Sequence, residues 1–312
     1  MRTILLGPQR FTVRVTGALR SLETEGPVAL INAGWEERED DIGELDAALD
    51  NRARNLRLFH RLADVLEKDP GFALQASRFR DRHDELTNVY RVRLQHAMGG
   101  VYAVQRLVPS HPSRARNSAA YRALADAVAG IRAIDTWYLA EVRRLYGELE
   151  VDGGVNSSDV IAWHRAEVRA AQNDCVAWIL PGGNIRTLMS ALRLFDVTIP
   201  HEVSVIAWSA GAMALTERIA LFHDHGPEGS QETELFDAGL GRVHGVVAFP
   251  HARRRLRMDD PERLGMLALR FEPAECVLLD DGAVLDFGAT GTIPLNARRV
   301  GADGLIRAGD DA

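Results

Sequence analysis

The feature that most constrains this chain is a change of texture along it. From Asp41 to Glu150 the apolar residues fall on a helical period, whereas both flanks alternate short apolar runs with amphipathic stretches. Ile42, Leu45, Leu49, Ala53, Leu56, Phe59, Leu62 and Leu66 step by threes and fours until Asp69-Pro70 interrupts them. The stripe resumes from Phe72 to Val104, with a kink expected at Gly99-Gly100. It runs again from Ala120 to Leu149, beyond a Pro/Ser/Arg loop at 109–117 that carries His111. Three long amphipathic helices are expected, as a bundle or as an antiparallel hairpin with a third helix laid on it. His83 lies on the apolar stripe, so it reads as a core or edge histidine.

The flanks have a different logic. Thr3–Leu6 and Val28–Asn32 are continuous apolar runs closed by Gly7-Pro8 and Ala33-Gly34, as buried parallel strands are. After Asp152-Gly153-Gly154 a helix is expected over Ser158–Ala171. Strands follow at Val176–Leu180, Val203–Trp208, Val243–Phe249, Cys276–Asp280 and Ala283–Phe287. The fold class is α/β: a mainly parallel sheet with helices on both faces, built from 1–40 and 151–312 and interrupted by an all-α insertion at 41–150.

Composition narrows the function. A chain of 312 residues exceeds the soft prior of about 150 per domain, in keeping with two units. The 46% hydrophobic and 26% charged residues exclude wholesale disorder. No apolar run approaches the roughly 18 residues of a membrane span. Met1–Gly7 turns polar too early for a signal peptide, so cytoplasmic residence is expected. A net charge of −7 argues against nucleic acid as a partner. Lys68 is the sole lysine, which removes phosphate-loop and Schiff-base lysines from consideration elsewhere. Cys175 and Cys276 each sit in an apolar run and read as buried thiols.

The strongest chemical signal is Val205-Ile206-Ala207-Trp208-Ser209-Ala210-Gly211-Ala212. A strand delivers a serine into a sharp turn, and small neighbours let a helix begin at once, as in a nucleophile elbow. A serine that merely caps a helix is the plainer alternative. One strand earlier, Pro181-Gly182-Gly183-Asn184 leaves backbone N–H groups free at a helix start, suited to an anion or a developing oxyanion. An ordinary tight turn is the alternative there.

A serine nucleophile needs a base, and the chain has ten histidines. His60, His83, His96 and His164 sit in expected helices, and His201 precedes a strand at the wrong end of the sheet. His251, in Phe249-Pro250-His251, ends a strand and belongs on the functional edge; His244 lies at that strand's start. His223-Asp224-His225 has no clear third metal ligand, so neither a metal nor a cofactor is expected. For a carboxylate to orient the imidazole, Asp281 in Asp280-Asp281-Gly282 is the first choice and Asp280 the rival.

At these residues the chain resembles the peptidase S51 family, which includes dipeptidase E and cyanophycinase. Four segments match in order: Gly182–Asn184, the elbow Trp208–Ala212, Gly239-Leu240-Gly241 followed by Pro250-His251, and Asp281-Gly282. The order serine, histidine, acid separates this pattern from α/β-hydrolases. The resemblance implies a flavodoxin-like, glutamine-amidotransferase-related sheet and a serine hydrolase working through an acyl-enzyme. Ser209 would be nucleophile, His251 base and Asp281 the third member, where the family usually has glutamate. The oxyanion hole would be formed by Gly182, Gly183 and Ala210. A short peptide, with an N-terminal aspartate in the dipeptidase branch, would be held by Asn184, Arg255 and Arg263. Phe249 stands where cyanophycinase-like members have aspartate, and Met213 where dipeptidase-like elbows often have asparagine.

Two further readings stand beside this one. The glycine-rich crevice and the insertion could serve binding without catalysis, the insertion acting as a lid, a docking arm or a surface for homo-oligomers. An esterase or amidase could use Asp237 as its acid instead.

Overall fold

The computed structural model describes residues 1–109, 118–222 and 232–308. In chain order the strands are β1 Thr3–Leu6, β2 Val28–Leu30, β3 Ala53–Asn55, β4 Ala177–Leu180, β5 Ser204–Trp208, β6 Arg218–Leu221, β7 Glu234–Ala238, β8 Val246–Pro250, β9 Glu275–Leu279, β10 Val284–Asp286, β11 Arg298–Val300 and β12 Ile306–Arg307. The α-helices are α1 Val15–Arg20, α2 Gly43–Ala48, α3 Leu58–Lys68, α4 Pro70–Gln105, α5 Ala119–Val151, α6 Asp159–Asn173, α7 Ile185–Leu194, α8 Ala210–Leu215, α9 Ala252–Arg255 and α10 Pro261–Phe271.

The main sheet has six strands in the order β10-β1-β5-β4-β2-β3. All neighbours pair parallel except β10, which runs antiparallel along β1. Both faces are covered, which is why its strands read as unbroken apolar runs. Side-chain alternation divides them between two cores: Ile4 and Leu6 pack with Val15 and Leu19 of α1, whereas Leu5 faces the core shared with Leu188 and Leu192 of α7. The molecule is therefore mixed α/β, with a mostly parallel sheet between helical layers.

Two expectations need correction. The strands at β8 and β9 do not extend the main sheet; they pair with each other and belong to a second sheet, ordered β12-β11-β9-β8. The free edge of β1 is taken by β10, so no place remains there for them. The insertion is not all-helical either. Its first residues form α2 and then β3, which pairs parallel with β2 through Val28 opposite Ala53. Asp50 and Asn51, both left-handed, break the supposed stripe. A three-residue strand is too short to betray its period when its apolar neighbours happen to be spaced like a helix.

Beyond β3 the helical reading stands. Asp69 accepts a hydrogen bond from the Phe72 N–H at 2.9 Å, with Pro70 in the first turn, so Asp69-Pro70 both ends α3 and starts α4. α4 continues without interruption through Gly99-Gly100. Contacts of Arg82 with Glu148, Thr87 with Tyr138 and Tyr90 with Asp135 run in opposite directions along α4 and α5, so the two form an antiparallel hairpin. The hairpin packs on the second sheet and α10, where Tyr90, Leu94 and Ile131 share a core with Phe249, Leu278 and Phe271. Among the described residues no helix is long and apolar enough to cross a membrane.

Candidate active site

Four strand ends of the main sheet and two of the second sheet meet at one crevice. β5 ends at Trp208, and Ser209 follows with φ 51° and ψ −121° before α8 begins. A non-glycine residue held in this region costs about 1–3 kcal/mol, a strain that recurs at functional sites. The surroundings enforce it. A Cβ on Gly211 would lie 2.0 Å from the Leu180 carbonyl oxygen, and one on Gly182 would lie 2.7 Å from the Ser209 Cβ. The Gly182-Gly183 turn thus lies directly against the serine, and only glycine permits that approach. The Ala210 amide opens α8, where an N–H has no partner inside the helix. Gly182 and Ala210 thus lie beside Ser209, whereas a Cβ on Gly183 would lie 2.2 Å from the Gly34 carbonyl oxygen.

His251 arrives from the other sheet. β8 ends at Pro250, and His251 takes a left-handed conformation, φ 58° and ψ 34°, with its N–H donating to the Leu279 carbonyl at 3.0 Å. This brings Nε2 to 3.2 Å from the Ser209 Oγ. With the hydroxyl donating, Nε2 is the acceptor and the ring proton sits on Nδ1. Burial, reinforced by the positive charge of Arg255, lowers the imidazole pKa below its usual 6.5, while Asp281 opposes the shift. A neutral imidazole at pH 7 is the form that can accept a proton.

The third member departs from expectation. Among the described residues no carboxylate is hydrogen-bonded to His251. Asp281 is exposed on the turn after β9, which is closed by the Ala283 N–H on the Asp280 carbonyl at 3.0 Å. Asp280 is buried, and both its oxygens are engaged elsewhere: Oδ1 accepts from the Arg253 N–H at 2.9 Å and Oδ2 from the Arg298 guanidinium at 3.0 Å. Asp280 therefore fixes the α9 turn that carries His251, and not its ring. Asp237, the alternative acid, lies on β7 in an ion pair with Arg193 at 2.8 Å and does not line the crevice.

No family model matches the chain, and no curated protein matches it. The assignment of this site accordingly rests on geometry.

The expected substrate-binding residues fare unevenly. Asn184 is the N-cap of α7, accepting from the Arg186 N–H at 3.0 Å and donating to Glu36 at 2.9 Å. Its side chain is spent on structure. Arg263 lies on α10 in an ion pair with Glu232 at 3.6 Å, and it lines a small hollow beside α4, away from the serine. Arg255 acts on His251 through its charge and lies 5.9 Å from the Phe222 ring centre. His223, Asp224, His225 and His111 fall outside the described residues.

The groove holding Ser209 and His251 measures about 460 Å³. Its other walls include Gln9 and Arg10, after β1, and Trp35 and Arg38, after β2. Sequence reading had missed all four. Their signal was position alone: each follows the carboxyl end of a parallel strand, where ligands bind in open α/β sheets. Gln9 stiffens its loop by accepting from the Val15 N–H at 2.9 Å and donating to the Gly7 carbonyl at 2.7 Å. Arg38 pairs with Asp41 at 3.1 Å, so the groove carries both signs of charge.

If the imidazole is the working base, activity needs its neutral form, so turnover falls as pH drops through the lowered pKa. Replacing Arg255 by Gln removes a positive neighbour and lets that pKa rise. The acid limb of kcat/KM should then move to higher pH by several tenths of a unit, as a factor of a few in binding one proton implies. An unmoved limb would deny Arg255 this influence.

Proposed function

We propose that this chain is a serine hydrolase of the peptidase S51 type that cleaves short peptides through an acyl-enzyme. The observation that carries the reading is the Ser209 Oγ, on a strained strand-to-helix turn, 3.2 Å from the His251 Nε2. In this mechanism Oγ attacks the scissile carbonyl while its proton passes to Nε2. The amides of Gly183 and Ala210 receive the oxyanion, and the proton then goes to the leaving amine. Water, activated by the same imidazole, releases the acyl group and regenerates the serine.

The strand order supports a flavodoxin-like sheet. Counted from β2, the parallel strands run 2-1-3-4-5 in space, with β1 in the fifth place. The mixed charges of Arg10, Arg38, Asp41 and Glu44 in the groove suit a short substrate bearing both an amine and a carboxylate, an N-terminal aspartate among them. Two free, buried cysteines support residence in the reducing cytoplasm.

A second reading, a binding protein without catalysis, draws on the absence of any carboxylate hydrogen-bonded to His251 among the described residues. One experiment separates the two. A fluorophosphonate probe read by intact mass should add once to the wild type and not to Ser209→Ala. Failure of folded wild-type protein to react would favour binding over hydrolysis.

A further inference from the structure

A more apolar space than the serine groove lies elsewhere in the described part of the molecule. It is a cavity of about 360 Å³ among α3, α4, α5 and α7, and it shares no lining residue with the groove. Leu62, Phe79, Tyr146 and Leu149 turn toward it and remain only half-buried, although they belong to helix faces packed against one another. Interiors are close-packed, so an apolar space of this size invites an occupant. An apolar void of about 150 Å³ accepts benzene, so this one has room for about ten to fourteen carbon atoms.

The charges on its walls are one-sided: Arg80, Arg165, Arg186 and Arg193 against Glu150 alone. Two of these cations are already committed. Arg193 is paired with Asp237, and the Arg165 Nε donates to the Leu194 carbonyl at 2.8 Å. Arg186 is held loosely, 3.4 Å from Asp84 and 3.4 Å from the His83 Nδ1. Arg80 has no hydrogen-bond or ion-pair partner among the described residues. It lies three residues before His83 on α4, so the two share one face of the helix. Burial, aided by Arg186, lowers the His83 pKa to about 4, which leaves its ring neutral and able to donate from Nε2.

We propose that this cavity is a binding site for an aliphatic monocarboxylate, with its chain among the aromatic and leucine side chains and its carboxylate at Arg80, Arg186 and His83. The site is independent of the serine chemistry and gives the helical hairpin a role in forming it. The apolar walls supply affinity, and the two arginines distinguish an acid from an alcohol of equal length.

The test is calorimetric titration of the full chain with decanoate, decanol and decyltrimethylammonium. Decanoate should bind saturably, one per chain, at least about tenfold more tightly than decanol, and the cation should not bind. Replacing both Arg80 and Arg186 by Gln should abolish the preference for acid over alcohol while leaving decanol binding unchanged. Ala76→Trp should fill the space and remove binding of both. If that variant does not fold, Ser190→Trp fills the same space from α7. Equal affinity for acid and alcohol, decanoate binding that survives the filled cavity, or no saturable binding by about 1 mM decanoate would each overturn the proposal.

Discussion

Under the proposed hydrolase mechanism, His251→Ala should lower turnover of an activated ester by about 10⁴- to 10⁶-fold, with Ser209→Ala no less damaging and the double variant no worse than either alone. Nucleophile and base act as a unit, because an alcohol that cannot shed its proton is a poor nucleophile at neutral pH. The 3.2 Å contact is the only side-chain hydrogen bond of Ser209 among the described residues, so no second base is hydrogen-bonded to its hydroxyl. Asp281→Asn should cost less than about tenfold, since Asp281 is exposed and bears on the imidazole only through space. Steady-state kinetics on the four variants distinguish a working pair from a working triad. A loss below tenfold for His251→Ala would remove the pair from the mechanism; a loss near 10⁴ for Asp281→Asn would restore the aspartate to it.

The second large effect is on stability. Asp135→Ala should destabilise the chain by about 3–5 kcal/mol, because it leaves a buried guanidinium without its counter-ion. Arg270 is 2% exposed and binds Asp135 through two nitrogens, at 2.7 and 2.6 Å. It also reaches the Tyr90 hydroxyl at 2.8 Å, which in turn donates to Asp135 at 2.8 Å. Burial works against the Arg270 charge, but Asp135 and Tyr90 more than offset it, so the guanidinium is held in its protonated form. This cluster joins α4, α5 and α10 at a single point, fastening the helical hairpin to the second sheet. Replacing the pair together, by Asp135→Leu with Arg270→Met, should recover most of the loss, since apolar residues of similar volume need no partner. Urea denaturation read by circular dichroism checks both. A single substitution that shifts stability by less than about 1 kcal/mol would show that water reaches the charge.

Local order was largely legible. The strands β1, β2, β4, β5, β8, β9 and β10 lie within a few residues of their apolar runs, because strands buried on both faces need continuous apolar sequence. The hairpin α4–α5 follows from a 3.6-residue period sustained over many turns. β3, β6, β7, β11 and β12 escaped notice. They are short, and several are only half-buried, so neither periodicity nor apolarity marks them. At the site, Ser209, His251 and the two glycines were readable because each ends a strand in a turn that few residue types can make. Asn184 and Arg263 were expected at the substrate but are engaged in capping and ion pairing, which use the same side chains as ligand recognition does.

The sequence by itself determined the long helices α4 and α5 and the buried apolar strands, and that a serine, a histidine and a glycine pair would stand at strand ends. Those properties depend on near neighbours in the chain, through backbone sterics and the period of apolar residues. Only the tertiary structure decided that two sheets, not one, bring Ser209 and His251 together, that Asp280 serves the α9 turn and not the imidazole, and that Arg10 and Arg38 wall the groove. Strand order and side-chain partnership are set by packing between residues far apart in sequence. Many pairings of apolar strands satisfy the same local pattern, and only their joint burial selects one.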